Sequence, residues 1–167
     1  ASVGTVLLTL WSQRQAELRV AHRQSLEPYA AELGESLYQI VACAEIFLRK
    51  KSDEGRINWE RRGARATGKL KGLRTKLRYP LWGLDGGLRT LTRVLDWAGH
   101  LRHDGDRAKV LVRRADKLRA AVDYAIRRSL KNGRPPLLYE RCRVNYQAWR
   151  CRRAFERSGK RDTDVVP

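Results

Sequence analysis

One stretch of the chain gathers the side-chain types of acid–base catalysis. It is Arg93-Val-Leu-Asp96-Trp-Ala-Gly-His100-Leu-Arg-His103-Asp104, and it holds two of the three histidines. Arg93 and His100 are seven residues apart, close to two helical turns, so on a helix both point the same way. If Leu88, Leu91, Leu95 and Ala98 form the buried seam, that direction is away from the core. An exposed imidazole and guanidinium suit metal-free RNA cleavage. The imidazole moves a proton to or from the 2′-hydroxyl or the leaving oxygen, and the guanidinium stabilises charge on the pentavalent phosphorus. A plainer use for His100 and His103 is to cap a helix C-terminus, where the dipole favours cations. Asp96, His100 and His103, at spacings of four and three, also share a face that could meet Zn²⁺ or Mn²⁺. Asp104 and Asp106 are better used to start the next helix, so no metal is expected there. His22 stands alone among polar residues. No Walker loop, GxGxxG, HExxH or GxSxG motif is present, and no cofactor is expected.

Arg93-x6-His100 near a helix end, followed by a turn and a long helix from Arg107 to Lys131, resembles the HEPN superfamily of ribonucleases and nucleotide-binding domains. The signature of that family is Arg-x4–6-His, and the resemblance runs over about residues 29–131. It implies that Arg93 and His100 are the catalytic pair of a metal-independent endoribonuclease. It also implies a homodimer, because active members bring two motifs into one cleft. Val94 stands where the family prefers a polar residue.

The charge of the chain points to a polyanionic partner. Lys and Arg number 36 against 18 Asp and Glu, a formal charge of +18, and residues 107–161 carry 18 of the positive charges against four negative ones. A second concentration lies between Arg56 and Arg78. Such self-repulsion favours RNA, other nucleic acid or an anionic membrane as partner. Arginine outnumbers lysine 27 to 9. Guanidinium groups pair bidentately with phosphate and stack on bases, although codon usage alone can produce the same bias. The expected nucleic-acid-binding residues are Arg113, Arg114, Arg127, Arg128, Arg143, Arg150, Arg153, Tyr146 and Trp149. On the last helix Tyr139, Tyr146 and Trp149 share a face with these arginines, the composition of a surface that stacks unpaired bases. The rival use of the same aromatics is to dock the helix, while Val144, Ala148, Cys151 and Phe155 form a competing apolar face.

The elements that must position these residues are all helical. No strand alternation is convincing, and a hydrophobic fraction of 42% is too high for a disordered basic tail. The spacing predicts an all-α, antiparallel bundle of five to six helices forming one domain over residues 1–157, with a disordered polar tail over 158–167. A first helix over residues 3–26 should end at Pro28, because the residue before proline is pushed out of the α region. A second, from Tyr29 to Lys51, carries Leu33, Leu37, Ile40, Ala44 and Phe47, and Ser52 to Gly55 reads as a loop. Next comes one long helix kinked or briefly broken near Tyr79-Pro80, its seam running in phase from Trp59 to Leu77 and from Leu81 to Ala98, with Gly83, Gly86 and Gly87 weakening the start of the second half. After a turn, Asp106 caps a helix over 107–131 that Asn132-Gly133 stops. Pro135-Pro136 opens the last.

Cys43, Cys142 and Cys151 include no CxxC pair and suit a reducing compartment with buried thiols. With no secretory signal, a cytoplasmic protein is expected. The apolar start Val3 to Leu10 passes into Trp11 and then Arg14, Arg19 and Arg23, as a transmembrane helix does on its cytoplasmic side. Eight residues cannot span, so this alternative requires a membrane tether upstream of Ala1. It would make the chain a non-enzymatic membrane-proximal module. A structural subunit of a ribonucleoprotein is the remaining alternative.

Overall fold

A computed structural model describes residues 3–49 and 53–159. The described residues form six helices and no strand: α1 (Val3–Arg49), α2 (Asp53–Lys76), α3 (Asp85–Leu91), α4 (Val94–His100), α5 (Gly105–Asn132) and α6 (Leu138–Gly159). The chain is an all-α bundle in which α1, α5 and α6 pack as successive antiparallel neighbours, with α2 on the other side of α1. Lys76 lies over the Tyr29 ring at 5.8 Å, and Arg119 over Tyr38 at 5.9 Å, which fixes the direction of α2 and α5 against α1. The short α3 and α4 lie across the bundle against α1, α5 and α6.

The N-terminal boundary at Pro28 is not observed. A single helix of 47 residues runs straight through it. Proline in a helix interior loses one hydrogen bond, here to the Gln24 carbonyl, and costs about 3 kcal/mol. Pro28 and Gln24 are both on the exposed face, so water takes the freed carbonyl. On the opposite face Leu26 and Leu33, one heptad apart, are fully buried and keep the seam in register. The expected helices over 3–26 and 29–51 are therefore parts of one element. The loop expected from Ser52 to Gly55 is also absent where the structure is described, since α2 already begins at Asp53.

At Pro80 the chain does break. The α2 helix stops at Lys76, and turns held by Leu81 N–H to Leu77 O (3.0 Å) and Leu84 N–H to Leu81 O (3.0 Å) lead into α3. Leu77, Leu81, Leu84 and Leu88 stay buried across this break. A second interruption, at Thr92-Arg93, separates α3 from α4. There the Thr90 and Thr92 hydroxyls donate to the carbonyls of Gly86 and Arg89, both at 2.8 Å, a back-bonding that bends helices.

The start of α5 is capped by Asp104, whose carboxylate accepts the Arg107 N–H at 3.2 Å, while Asp106 sits within the first turn. The assignment of the cap to Asp106 is thus corrected by two residues. Asn132-Gly133 ends α5 as expected, with Gly133 left-handed at φ 61. A Cβ at Gly133 would lie 2.6 Å from the Arg19 carbonyl oxygen, so glycine also lets α1 cross this turn in contact. The last helix reaches Gly159, two residues into the expected tail, and the rest of that tail lies outside the described residues.

Candidate nucleic-acid interface

Two faces of α6 compete for the core, and the smaller side chains occupy it. Val144, Ala148 and Cys151 are buried, whereas Tyr146 and Trp149 are 52% and 46% exposed. The docking use of these aromatics is therefore not the one adopted. The reason is the close approach of α3, where a Cβ at Gly87 would lie 2.4 Å from the Val144 side chain. The small Val144 side chain fills the space that a Cβ at Gly87 would need.

The exposed rings form a ladder with arginine. Tyr146 and Trp149 stack on each other at 6.1 Å with planes 25° apart. Arg150 lies over Tyr146 at 5.6 Å and Arg153 over Trp149 at 4.8 Å. Toward the start of α6 the ladder crosses to α5, where Arg143 lies over Tyr124 at 5.6 Å and Arg128 over Tyr139 at 5.5 Å. Cation–π contacts of this kind hold a guanidinium flat on a ring while its N–H edges face outward, the posture that phosphate and base edges require.

Arg128 is the most constrained of the group. It donates to the Tyr124 and Tyr139 hydroxyls and pairs with Glu140 at 3.4 Å. Glu140 is 3% exposed. Its second oxygen accepts the Leu137 N–H at 2.7 Å, which makes it the acidic half of a capping box at the start of α6. The bond to Tyr139, then that to Arg128, holds the Tyr124 phenol below its ordinary range. Desolvation first of all pushes Tyr139 up, so Tyr139 keeps the proton it donates to Glu140.

The structure thus brings Arg128, Arg143, Arg150, Arg153, Tyr146 and Trp149 onto one surface. Arg127, beside Arg128, is paired with Asp123 at 2.9 Å. Arg113 lies elsewhere, about 22 Å along α5 from Arg128. It lines an open groove of about 500 Å³ between α1 and α5 together with Tyr38, Lys109 and Arg119. Arg114 is half-buried, a quarter turn from Arg113. Sequence reading missed Tyr124. Its signal was the four-residue spacing to Arg128 on the polar side of the α5 seam.

Arg93 and His100 are both exposed, as the seam predicts. They stand at opposite ends of α4, with Arg93 in the turn before it and His100 its last residue. Seven helical steps separate them by about 10 Å along the axis. His100 Nδ1 donates to the Asp96 carbonyl at 2.8 Å, which ties up a last-turn oxygen and leaves Nε2 as the basic nitrogen. Its ring meets the edge of Phe155, which stacks on Trp97 at 5.0 Å. The imidazole opens onto a cleft between α2 and α4 that also contains Glu60 and Lys71. Among the described residues no three His, Cys, Asp or Glu side chains converge as metal ligands. His22 is not isolated: its Nε2 lies 2.8 Å from the Ser129 hydroxyl, which itself donates to Arg134 O at 2.6 Å.

Of the thiols, Cys43 and Cys151 are buried and Cys142 is exposed, a correction to the expectation that all are buried. Among the described residues no helix is long and apolar enough to cross a membrane. No family model, curated protein or solved structure matches the chain.

Proposed function

We propose that this chain binds nucleic acid, single-stranded RNA foremost, through the arginine–aromatic ladder of α5 and α6. The observation that carries the reading is the exposed Tyr146–Trp149 stack with Arg150 and Arg153 laid over it. Aromatic faces receive unpaired bases of any sequence, and arginines beside them neutralise the backbone. A basic surface that served only solubility would have no cause to leave two large rings half in water, since burying such a ring is favourable by about 1.5–3 kcal/mol.

The test is anisotropy of labelled oligoribonucleotides with the full chain. Tyr146→Ala and Trp149→Ala should each weaken binding about 5- to 150-fold, equivalent to ~1–3 kcal/mol per stacked base. Arg150→Ala should lower the slope of log K against log salt by about 1. Absence of binding at low salt, or affinity untouched in both aromatic variants, overturns the proposal.

A metal-independent endoribonuclease activity is the second reading, favoured by the exposure of Arg93 and His100 on one side of α4 and by the orientation that leaves His100 Nε2 basic. The HEPN resemblance implies that a homodimer brings two such motifs into one cleft, because one Arg and one His supply too few groups for both proton transfers and charge stabilisation. Arg93→Ala and His100→Ala should each abolish RNA cleavage, and chelators should leave it unchanged. Cleavage that survives in either variant refutes this reading and leaves RNA binding intact.

A further inference from the structure

The α1 helix is much longer than the bundle it belongs to. At about 1.5 Å per residue it spans roughly 70 Å, against about 42 Å for its neighbour α5. The two are antiparallel, and Arg19 and Arg23 already lie at the far end of α5, with Arg19 against Gly133 and the Arg23 guanidinium on Lys131 O. The described residues before Arg19 therefore project past the end of α5.

This projecting end is apolar on more than one face. Val6, Leu7, Leu8, Leu10 and Trp11 are all exposed, Leu8 at 69% and Trp11 at 64%. At about 100° per residue these five fan over more than half of the circumference. A helix that docks on a second helix shows a narrow stripe, whereas the apolar arc here is roughly 200° wide at 100° per residue, and its back carries Thr5, Thr9, Ser12 and Gln13, polar but uncharged. Between Thr5 and Gln13 there is no charged residue. The Thr9 hydroxyl donates to the Thr5 carbonyl at 2.8 Å and the Ser12 hydroxyl to the Thr9 carbonyl at 2.9 Å. Side-chain donors are thus turned back onto the backbone, which is the condition for entering hydrocarbon. Below Trp11 the surface changes sign. Arg14 and Arg19 on α1, with Lys131 in the last turn of α5 and Arg134 just after it, form a basic collar in which Glu17 is the acidic member.

We infer that the projecting end of α1 inserts into the headgroup–acyl boundary of an anionic bilayer, with Trp11 at the interface and the collar on the lipid phosphates. Thr5 to Trp11 is about 10 Å long, the depth of an interfacial anchor. Tryptophan prefers that level, and each arginine near an anionic surface adds about 1 kcal/mol, or fivefold in partitioning. The inference is independent of the nucleic-acid ladder, which lies on the side of α5 and α6.

The test is co-sedimentation of the full chain with vesicles of phosphatidylcholine alone and of phosphatidylcholine mixed with phosphatidylglycerol. The chain should bind the anionic vesicles, and Leu8→Glu should reduce binding about 100-fold, as expected for a charge moved into hydrocarbon. Acyl-chain bromination should quench fluorescence that Trp11→Phe removes. Tyr146→Ala and Trp149→Ala should bind vesicles as the unsubstituted chain does. Equal sedimentation of Leu8→Glu, or no sedimentation with either lipid, overturns the inference. So does a lipid-free oligomer that Leu8→Glu dissociates, because a second copy would then cover the end. Loss of vesicle binding in the two aromatic variants overturns it as well, by assigning the lipid to the ladder.

Discussion

Glu140 is the most consequential single side chain in the ladder, and its removal has a calculable cost. Its carboxylate accepts the Leu137 N–H at 2.7 Å and the Tyr139 hydroxyl at 3.1 Å, and it lies 3.4 Å from Arg128 Nε. Substitution by alanine leaves the Leu137 N–H, at the cap position before α6, without its acceptor, a loss of about 0.5–2 kcal/mol for a helix cap. Loss of the charge-assisted bonds adds about 1.5–3 kcal/mol. Arg128 is 39% exposed, so water replaces part of what it loses and the full penalty of a stranded buried charge does not arise. The sum expected for Glu140→Ala is about 2–4 kcal/mol, which lowers the melting temperature by about 10 °C in a chain of this size. Glu140→Gln keeps an oxygen for the Leu137 N–H and surrenders only the charge, so it should cost about half as much. Urea denaturation followed by circular dichroism measures both. A loss under about 0.5 kcal/mol for alanine, the range of ordinary surface changes, would refute the reasoning, and so would equal losses for the two variants.

Two further outcomes follow from the titrating groups. In the native protein a maleimide should modify Cys142 alone, because burial pushes the Cys151 thiol up to about 12 and also raises Cys43; a second thiol labelled before unfolding contradicts this. Burial lowers His22 from its ordinary 6.5, so the unfolded chain binds more protons just below that pH and stability should fall as pH drops through 6.5. A pH titration of unfolding in which His22→Gln shows the same decline would assign it to another group.

The seams were legible from spacing alone. Leu33, Leu37, Ile40, Ala44 and Phe47 on α1, and Leu111, Ala115, Leu118, Val122 and Ala125 on α5, are all buried as their rhythm requires. Pro28 was misread because proline was weighed without asking which face it occupies. On a solvated face its lost bond is replaced by water, and the in-phase Leu26 and Leu33 hold the helix. At Pro80 the in-phase seam continues across a short break, as the proline followed by Gly83, Gly86 and Gly87 predicts. Which face of α6 would be buried was not decidable from α6. It depends on how near α3 comes, and that distance is set by Gly87 in a different element. The Tyr124–Arg128–Tyr139–Glu140 cluster was likewise hidden, because it joins two helices across a turn.

The excess length of α1 makes helix cooperativity uneven along one continuous element. Residues from Leu26 to Phe47 are held by the core and should protect their amides with the global unfolding free energy. The described residues before Arg19 lie beyond the end of α5, and they are helical because the docked part supplies the nucleus that an isolated peptide would have to form at a Zimm–Bragg penalty of about 10⁻³. Their amides should therefore exchange orders of magnitude faster than those twenty residues further on. A thermal scan of the helical signal should slope before its main transition, so two-state fitting of ellipticity would underestimate the stability of the bundle.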